Sequence, residues 1–288
     1  MAALFEQMTV IGVGLIGGSL ARAVRAKGLA SRIVGAGRRR ENLEKALALG
    51  VVDRIEADHA AAVRGSDLVV VGAPVRAAIE VVRAILPAME AGAILTDVGS
   101  VKAPFVAAVE GMALGGVRFL GGHPIAGTEK AGVEASFAEL FEGHRTILTP
   151  TEATAPEALE GLRALWEGVG ARVDILPPGV HDRVLSDISH LPHLVAYALV
   201  DAALRGKGLP YAAGGFRDFT RIASSNPEMW REICLDNREA LLASLGAFEE
   251  SLAALRGAVE RGDGEGLEAA FRRAKEGRDG WLQEKGWA

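Results

Sequence analysis

The chain has a single cysteine, two tyrosines and only a small charge imbalance, a formal net charge of -5 over 288 residues. A lone thiol, Cys234, cannot close an internal disulfide, and without a cysteine cluster there is no thiolate metal site to expect. The slight acidity removes the basic footprint of a nucleic-acid or anionic-membrane binder. No apolar stretch reaches the ~18 residues of a membrane span. The opening "MAALFEQMTV" lacks the basic flank and long apolar core of a secretion signal. These absences predict a cytoplasmic protein with no metal, no nucleic acid and no membrane partner. What the chain does have is small and aliphatic: 36 glycines and 49% hydrophobic residues. At this length that is enough for two ordinary cores.

Two textures follow each other. Up to residue 176, short β-branched runs alternate with Ala/Leu/Arg/Glu-rich stretches of helical length. The runs are Thr9 to Val13, Arg32 to Val34, Asp67 to Val71, Ala93 to Thr96, Val117 to Leu120, Arg145 to Leu148 and Arg172 to Leu176. Such alternation predicts βαβ units with right-handed crossovers in a mostly parallel sheet. "PPG" at 177–179 is expected to break regular structure. Beyond it the periodicity is helical. Asn226 is placed to cap a helix with Pro227 at its first position. From Trp230 through Ile233, Leu241, Leu245, Phe248, Leu252 and Leu255 to Val259, apolar residues recur mostly at three- and four-residue steps. This predicts one helix of about 30 residues. So long a helix needs apolar cover that its own neighbours do not supply, so a homodimer through the C-terminal region is expected. The predicted class is α/β: a Rossmann-type doubly wound domain over residues 1–176, then an all-helical substrate and dimerisation domain over 177–288.

"VIGVGLIGGSL" carries Gly12-x-Gly14-x-x-Gly17 directly after the first strand and at the start of a helix. Gly12 permits the tight turn, Gly14 the approach of a pyrophosphate, and Gly17 close packing of helix on strand. The helix N-terminus, with Leu15 and Ile16, offers N–H groups and a partial positive charge to phosphates. An unliganded βα turn is the plainer alternative. In sheets of this kind ligands lie beyond the carboxyl ends of the strands. Ala73 and Pro74 follow one strand as small cofactor contacts. Asp97, Ser100 and Lys102 follow the next, and His123 in "GGHPIAG" the next again. Ser100 has two readings, as the cap of a helix beginning near Lys102 and as a site residue. Asp97 reads as structural. The paired glycines before His123 suggest close approach of another group, which separates it from an incidental turn histidine.

The cofactor type has its own signal. The acid that would hold a ribose 2′-hydroxyl is expected about 20 residues beyond the glycines, and that position falls at Gly37. No acid is there, and Arg38 to Arg40 follow at once. Guanidinium groups without a neighbouring carboxylate suit a 2′-phosphate, so NADP is expected over NAD, held by Arg38 with Arg39 second. Three arginines opening a solvated helix remain the alternative.

"GVGLIGGSLA", "DVGSVK", "GGHPIAGTEKAG", "SHLPH" and "GGFRDFTRIASSNPEMW" together resemble the prephenate/arogenate dehydrogenase family, in order from about residue 8 to residue 284. The resemblance implies a dinucleotide domain followed by a helical dimerisation domain. It implies oxidative decarboxylation of prephenate in tyrosine formation, with hydride transfer to a nicotinamide. His123 then matches the base that accepts the hydroxyl proton, its ordinary pKa near 6.5 suiting that task. Ser100 matches a family position that hydrogen-bonds the same hydroxyl or His123. Arg221 matches the holder of the ring carboxylate, and His193 lies near the pyruvyl side chain, with Gly214 and Trp230 completing the wall. Pro192 is expected to free the Ile188 carbonyl and aim His190 or His193 inward. His59, His144 and His181 read as surface or structural. With no regulatory domain expected after the helices and no mutase-like segment before residue 8, inhibition by tyrosine would act by competition at the site. Arogenate as the preferred substrate, a hydroxyacid or imine reductase, and a non-catalytic nucleotide sensor are the rival readings.

Overall fold

A computed structural model describes residues 3–128 and 130–286. In chain order the first region runs β1 (Phe5–Ile11), α1 (Leu15–Lys27), β2 (Ala30–Ala36), α2 (Arg40–Ala48), β3 (Arg54–Glu56), α3 (His59–Ala62), β4 (Leu68–Val71) and α4 (Val75–Ile85). It continues through β5 (Ile94–Asp97), α5 (Ala103–Glu110), β6 (Arg118–Phe119), β7 (Gly121–Ile125), β8 (Arg145–Thr149), α6 (Pro156–Gly168) and β9 (Arg172–Ile175). Six strands form one parallel sheet in the order β3-β2-β1-β4-β5-β6. The central strand β4 is buried along its whole length, as a parallel sheet covered on both faces requires. Its residues alternate between two cores. Leu68 and Val70 join Leu20, Val24, Leu162 and Trp166 on the side of α1 and α6. Val69 and Val71 join Val82, Ile85, Phe105 and Val109 on the side of α4 and α5.

The structure departs from the sequence reading at four places. β3 is a short strand with no apolar run to announce it. "GGHPI" is not a strand exit but a strand, β7, antiparallel to β8 with His123 opposite Ile147, and β8 in turn pairs β9 in parallel. Two glycines and a proline hide it from propensity. The reason for the glycines is the protein itself: a Cβ at Gly121 would meet Thr149 Oγ1 at 2.8 Å, and one at Gly122 would meet the Asp97 carbonyl at 3.1 Å. At "PPG" the chain does not lose regular structure, because α7 (Pro178–Leu185) starts there with a proline in its first turn, where no N–H is missed.

The fourth departure concerns the apolar stripe. After α7 come a π-helical turn at Ser186–His190, α8 (Leu191–Leu204), α9 (Gly214–Thr220), α10 (Pro227–Asp236) and α11 (Arg238–Arg261). The single long helix is therefore two. Asn237 breaks it at φ -102°, ψ 33°, and its buried amide donates to the Asp182 carbonyl at 2.8 Å and to His190 Nδ1 at 3.0 Å. Asn226 does cap α10, accepting from Met229 N–H at 2.9 Å.

By compactness the chain forms two units, Met1–Arg238 and Glu239–Ala288. The change of texture at 176/177 falls inside the first. The second consists of the body of α11 and of α12 (Gly264–Lys285), joined through Gly262 at φ +65° and Asp263, which accepts the Gly266 N–H. Leu242, Leu252, Val259, Phe271 and Trp281 are exposed on these two helices. Among the described residues no helix is long and apolar enough to cross a membrane.

Candidate active site

The parallel strands end at a common edge, and a cavity of about 820 Å³ opens there, lined entirely by residues of the first unit. One end is the glycine loop. Gly12 has φ +97°, and a Cβ on it would lie 2.3 Å from the Gly72 carbonyl oxygen. A Cβ on Gly17 would lie 2.3 Å from the Gly12 carbonyl oxygen, so helix, loop and the β4 exit are packed without room for side chains. Gly14 is different: nothing lies within 4 Å of a Cβ there, and it faces the cavity. The first turn of α1 has no side-chain cap, which leaves its N–H groups to a ligand. Gly12, Gly14, Leu15, Ile16, Gly17, Ala73 and Pro74 all line this end. The arrangement fits a dinucleotide, whose pyrophosphate these residues would hold. Gly37, Arg38 and Arg39 lie outside the lining at the end of β2. Arg40 is engaged with Glu44 at 2.7 Å, whereas Arg38 and Arg39 are exposed without an ion pair among the described residues.

The other end is polar. His123, Ser100, His193, Arg221 and Trp230 all line it; Gly214, at the start of α9, does not. Ser100 is not the cap of α5. Asp182 from α7 takes that place, its Oδ1 accepting Lys102 N–H and its Oδ2 accepting Ala103 N–H, both at 2.8 Å. Asp97 is structural in a specific way. It is ion-paired with the fully buried Lys102 and also accepts the N–H groups of Gly99 and Gly122, while Lys102 donates to the Gly122 carbonyl at 3.0 Å. This buried pair joins β5 to β7 directly under His123. Removing either charge would strand the other, which is costly in a dry interior.

His123 is almost wholly buried, and burial, with His181 and Lys102 nearby, holds its imidazole well below the ordinary 6.5 rather than near it. It is neutral at physiological pH. Its Nδ1 lies 2.9 Å from His181 Nε2. His181 is thus no surface residue but fully buried beneath the site. Beyond it, Pro192 sits in the first turn of α8, directly after the π turn. His193 Nδ1–H donates to the Ser189 carbonyl at 2.9 Å, and the ring stacks on Trp230. Its pKa is lowered by burial, with Arg221 adding to the effect. His190 turns away to Asn237, so His190 and His193 aim at different partners. Lys130, which no motif argument singled out although it lies within "GGHPIAGTEKAG", lines the same cavity as Arg221. Two cations thus line the same cavity as the neutral imidazole of His123.

Residues 20–175 match the model for the prephenate dehydrogenase nucleotide-binding domain, and residues 177–273 match the model for the prephenate dehydrogenase dimerization domain. The chain belongs to the prephenate dehydrogenase family. It is 37% identical to the cyclohexadienyl dehydrogenase of Zymomonas mobilis, over 96% of either chain. It is also 37% identical to the prephenate dehydrogenase of Bacillus subtilis, over 98% of this chain and 78% of that one. Among solved structures it resembles the prephenate dehydrogenase of A. aeolicus in complex with hydroxyphenyl propionate and NAD+. The TM-score is 0.89 and the identity 39%, covering 95% of this chain and 97% of that one. For a prephenate dehydrogenase family member, an oxidoreductase with a nicotinamide cofactor, the cavity divides naturally. Its glycine end has the form of a dinucleotide cradle, and its histidine end is the polar one.

Proposed function

We propose that this chain oxidatively decarboxylates prephenate to 4-hydroxyphenylpyruvate in tyrosine biosynthesis, with NADP preferred over NAD. The observation that carries the reading is a neutral, buried His123 sharing one cavity with Ser100, Arg221 and the glycine loop. The nicotinamide, when bound, supplies the acceptor for the hydride on the carbinol carbon. His123 takes the hydroxyl proton as the carbonyl forms, and Ser100 hydrogen-bonds the same oxygen to hold its angle. Arg221 binds the ring carboxylate through a bidentate fork until the carbon–carbon bond breaks and CO₂ leaves. The bonding pair enters the ring, and the resulting phenolate takes its proton back from His123, so no proton is gained or lost overall. His193 and Trp230 border the side chain, with Lys130 as a second cation for a dianionic substrate.

Arg38, and Arg39 after it, would hold a 2′-phosphate, supported by the missing acid at Gly37 and by their lack of ion-pair partners among the described residues. The functional division is placed at 176/177. The exposed apolar side chains of α11 and α12, within the part matched by the dimerization model or just beyond it, support a homodimer. The decisive experiment mixes the protein with prephenate or arogenate and either oxidised cofactor, then follows absorbance of the reduced form. Turnover of prephenate, lost by about 10²–10⁴-fold in His123→Asn, is expected. No reduction of either cofactor rejects the reading, and preference for arogenate moves it to the sister substrate.

A further inference from the structure

His123 is the outer member of a buried row. Its Nδ1 lies 2.9 Å from His181 Nε2, and His181 Nδ1 lies 2.7 Å from Asp182 Oδ1. None of the three is solvent-exposed, and His181 is fully enclosed. Asp182 is held from its far side by two backbone N–H groups of α5, so both its oxygens already serve as acceptors. An accepting carboxylate requires a donor from the ring beside it. His181 Nδ1 therefore carries the hydrogen. In the neutral ring its Nε2 then has only a lone pair, and His123 Nδ1 must donate to it. That leaves Nε2 of His123 without a hydrogen.

Neighbouring groups do not compete for this row. Lys102 spends its ammonium on Asp97 and the Gly122 carbonyl, and His190 Nδ1 is taken by the Asn237 amide. The remaining choice, a doubly protonated His181, would reverse the direction of the bond between His181 and His123 and place a hydrogen on the wrong nitrogen of His123.

We propose that His181 and Asp182 are positioning residues for the reaction, locking His123 in the tautomer whose Nε2 is the free base. The proposal rests on the role of His123 given above. A hydroxyl proton can move only to a lone pair, so an imidazole free to exchange tautomers would be competent part of the time. The row also prepares for the product of that transfer. Once His123 is charged, its Nδ1–H points at an acceptor backed by a carboxylate rather than at an apolar wall, the support that an aspartate gives directly in a Ser-His-Asp triad. Asp182 reaches the site a second way. By capping α5 it fixes the backbone two residues beyond Ser100, so one carboxylate sets the angle of the base and anchors the segment carrying the hydroxyl that orients the substrate.

The first test needs no substrate, so its failure is distinct from a failure of prephenate turnover. In ¹⁵N-histidine NMR of the full-length protein near neutral pH, His123 and His181 should each show a protonated Nδ1 and an unprotonated Nε2. A lone pair on Nδ1 of His123, or a doubly protonated His181, overturns the proposal even if no variant folds. The second test compares His181→Gln, which keeps an acceptor near the Nε2 position, with His181→Leu, which removes it. His181→Leu should mix the tautomers of His123 and lower kcat about 10²-fold, with the KM for prephenate within about threefold. His181→Gln should keep the tautomer and restore kcat to within about tenfold of wild type. A His181→Leu enzyme with undiminished kcat, or an equal loss in both variants, rules the positioning role out.

Discussion

Trp230 lies flat on His193, the ring centroids 3.5 Å apart and the planes inclined by 19°. With Nδ1 of His193 bound to the Ser189 carbonyl, stacking leaves Nε2 as its only free polar atom. The indole is thus a rigid backing for the His193 ring, which the proposed function makes a substrate contact. Aromatic pairs of this sort contribute about 0.5–1.5 kcal/mol beyond burial. Trp230→Leu is expected to raise the KM for prephenate roughly 3- to 10-fold with a smaller change in kcat. Trp230→Phe should stay close to wild type. Steady-state kinetics on both variants check this, and a kcat defect at unchanged KM would place Trp230 with the chemistry instead.

Arg221 lines the cavity at the end of α9 and is exposed. Its loss removes a charge-assisted contact without touching the base. Arg221→Ala should raise the KM for prephenate at least tenfold, and Arg221→Lys should recover part of the loss because a point charge replaces the fork. Titration of prephenate against initial rate decides it; an unchanged KM returns Arg221 to a structural role.

The acid limb of stability has a named source. Burial, with His181 and His193 adding to it, lowers His190 to about 4. A base whose folded pKa lies below its unfolded value near 6.5 binds fewer protons when folded. Stability is therefore complete above pH 6.5 and declines as the pH falls toward 4. His190→Asn keeps an acceptor for the Asn237 amide but does not titrate. Urea unfolding at pH 7 and pH 5 should show wild type losing roughly 2 kcal/mol more than the variant between the two. Parallel losses would assign the acid sensitivity elsewhere.

Cofactor choice is tested at the end of β2. Arg38→Ala should lower kcat/KM for NADP about tenfold or more while leaving NAD within about twofold, and Arg39→Ala should do so less. A wild-type preference for NAD, or an unaltered NADP/NAD ratio in Arg38→Ala, removes the guanidinium from cofactor selection.

What was legible in the sequence was whatever repeats along it. The βαβ alternation and the Gly12 loop announce themselves locally, because period, turn and helix start are all set within a dozen residues. His123, Ser100, Arg221 and His193 were found through motifs and do share the cavity. What stayed hidden depends on partners far along the chain. His181 reads as an ordinary residue until the fold brings it to His123 from 58 positions away. Asn237 falls in the one long step of the apolar stripe, between Ile233 and Leu241, and its partners Asp182 and His190, 55 and 47 residues earlier, hold it as a helix end. β7 was missed for the opposite reason. Its Gly121 and Gly122 leave room for what passes beside them, Thr149 and Asp97, and with Pro124 they contradict the local preference for a strand.

The two hydrogen bonds from α5 to Asp182 bear on how such enzymes exchange parts. His123 and Ser100 are encoded before residue 176, but the carboxylate that caps the helix after Ser100 is encoded after it. A recombinant that joins the first 176 residues of this chain to the helices of a distant relative would inherit the base and the hydroxyl intact. On the positioning role proposed above, their alignment would turn on one inherited dipeptide, His181-Asp182. The place where crossover looks cleanest on paper is therefore where inheritance is least free, and a graft made six residues further on would carry its own support with it.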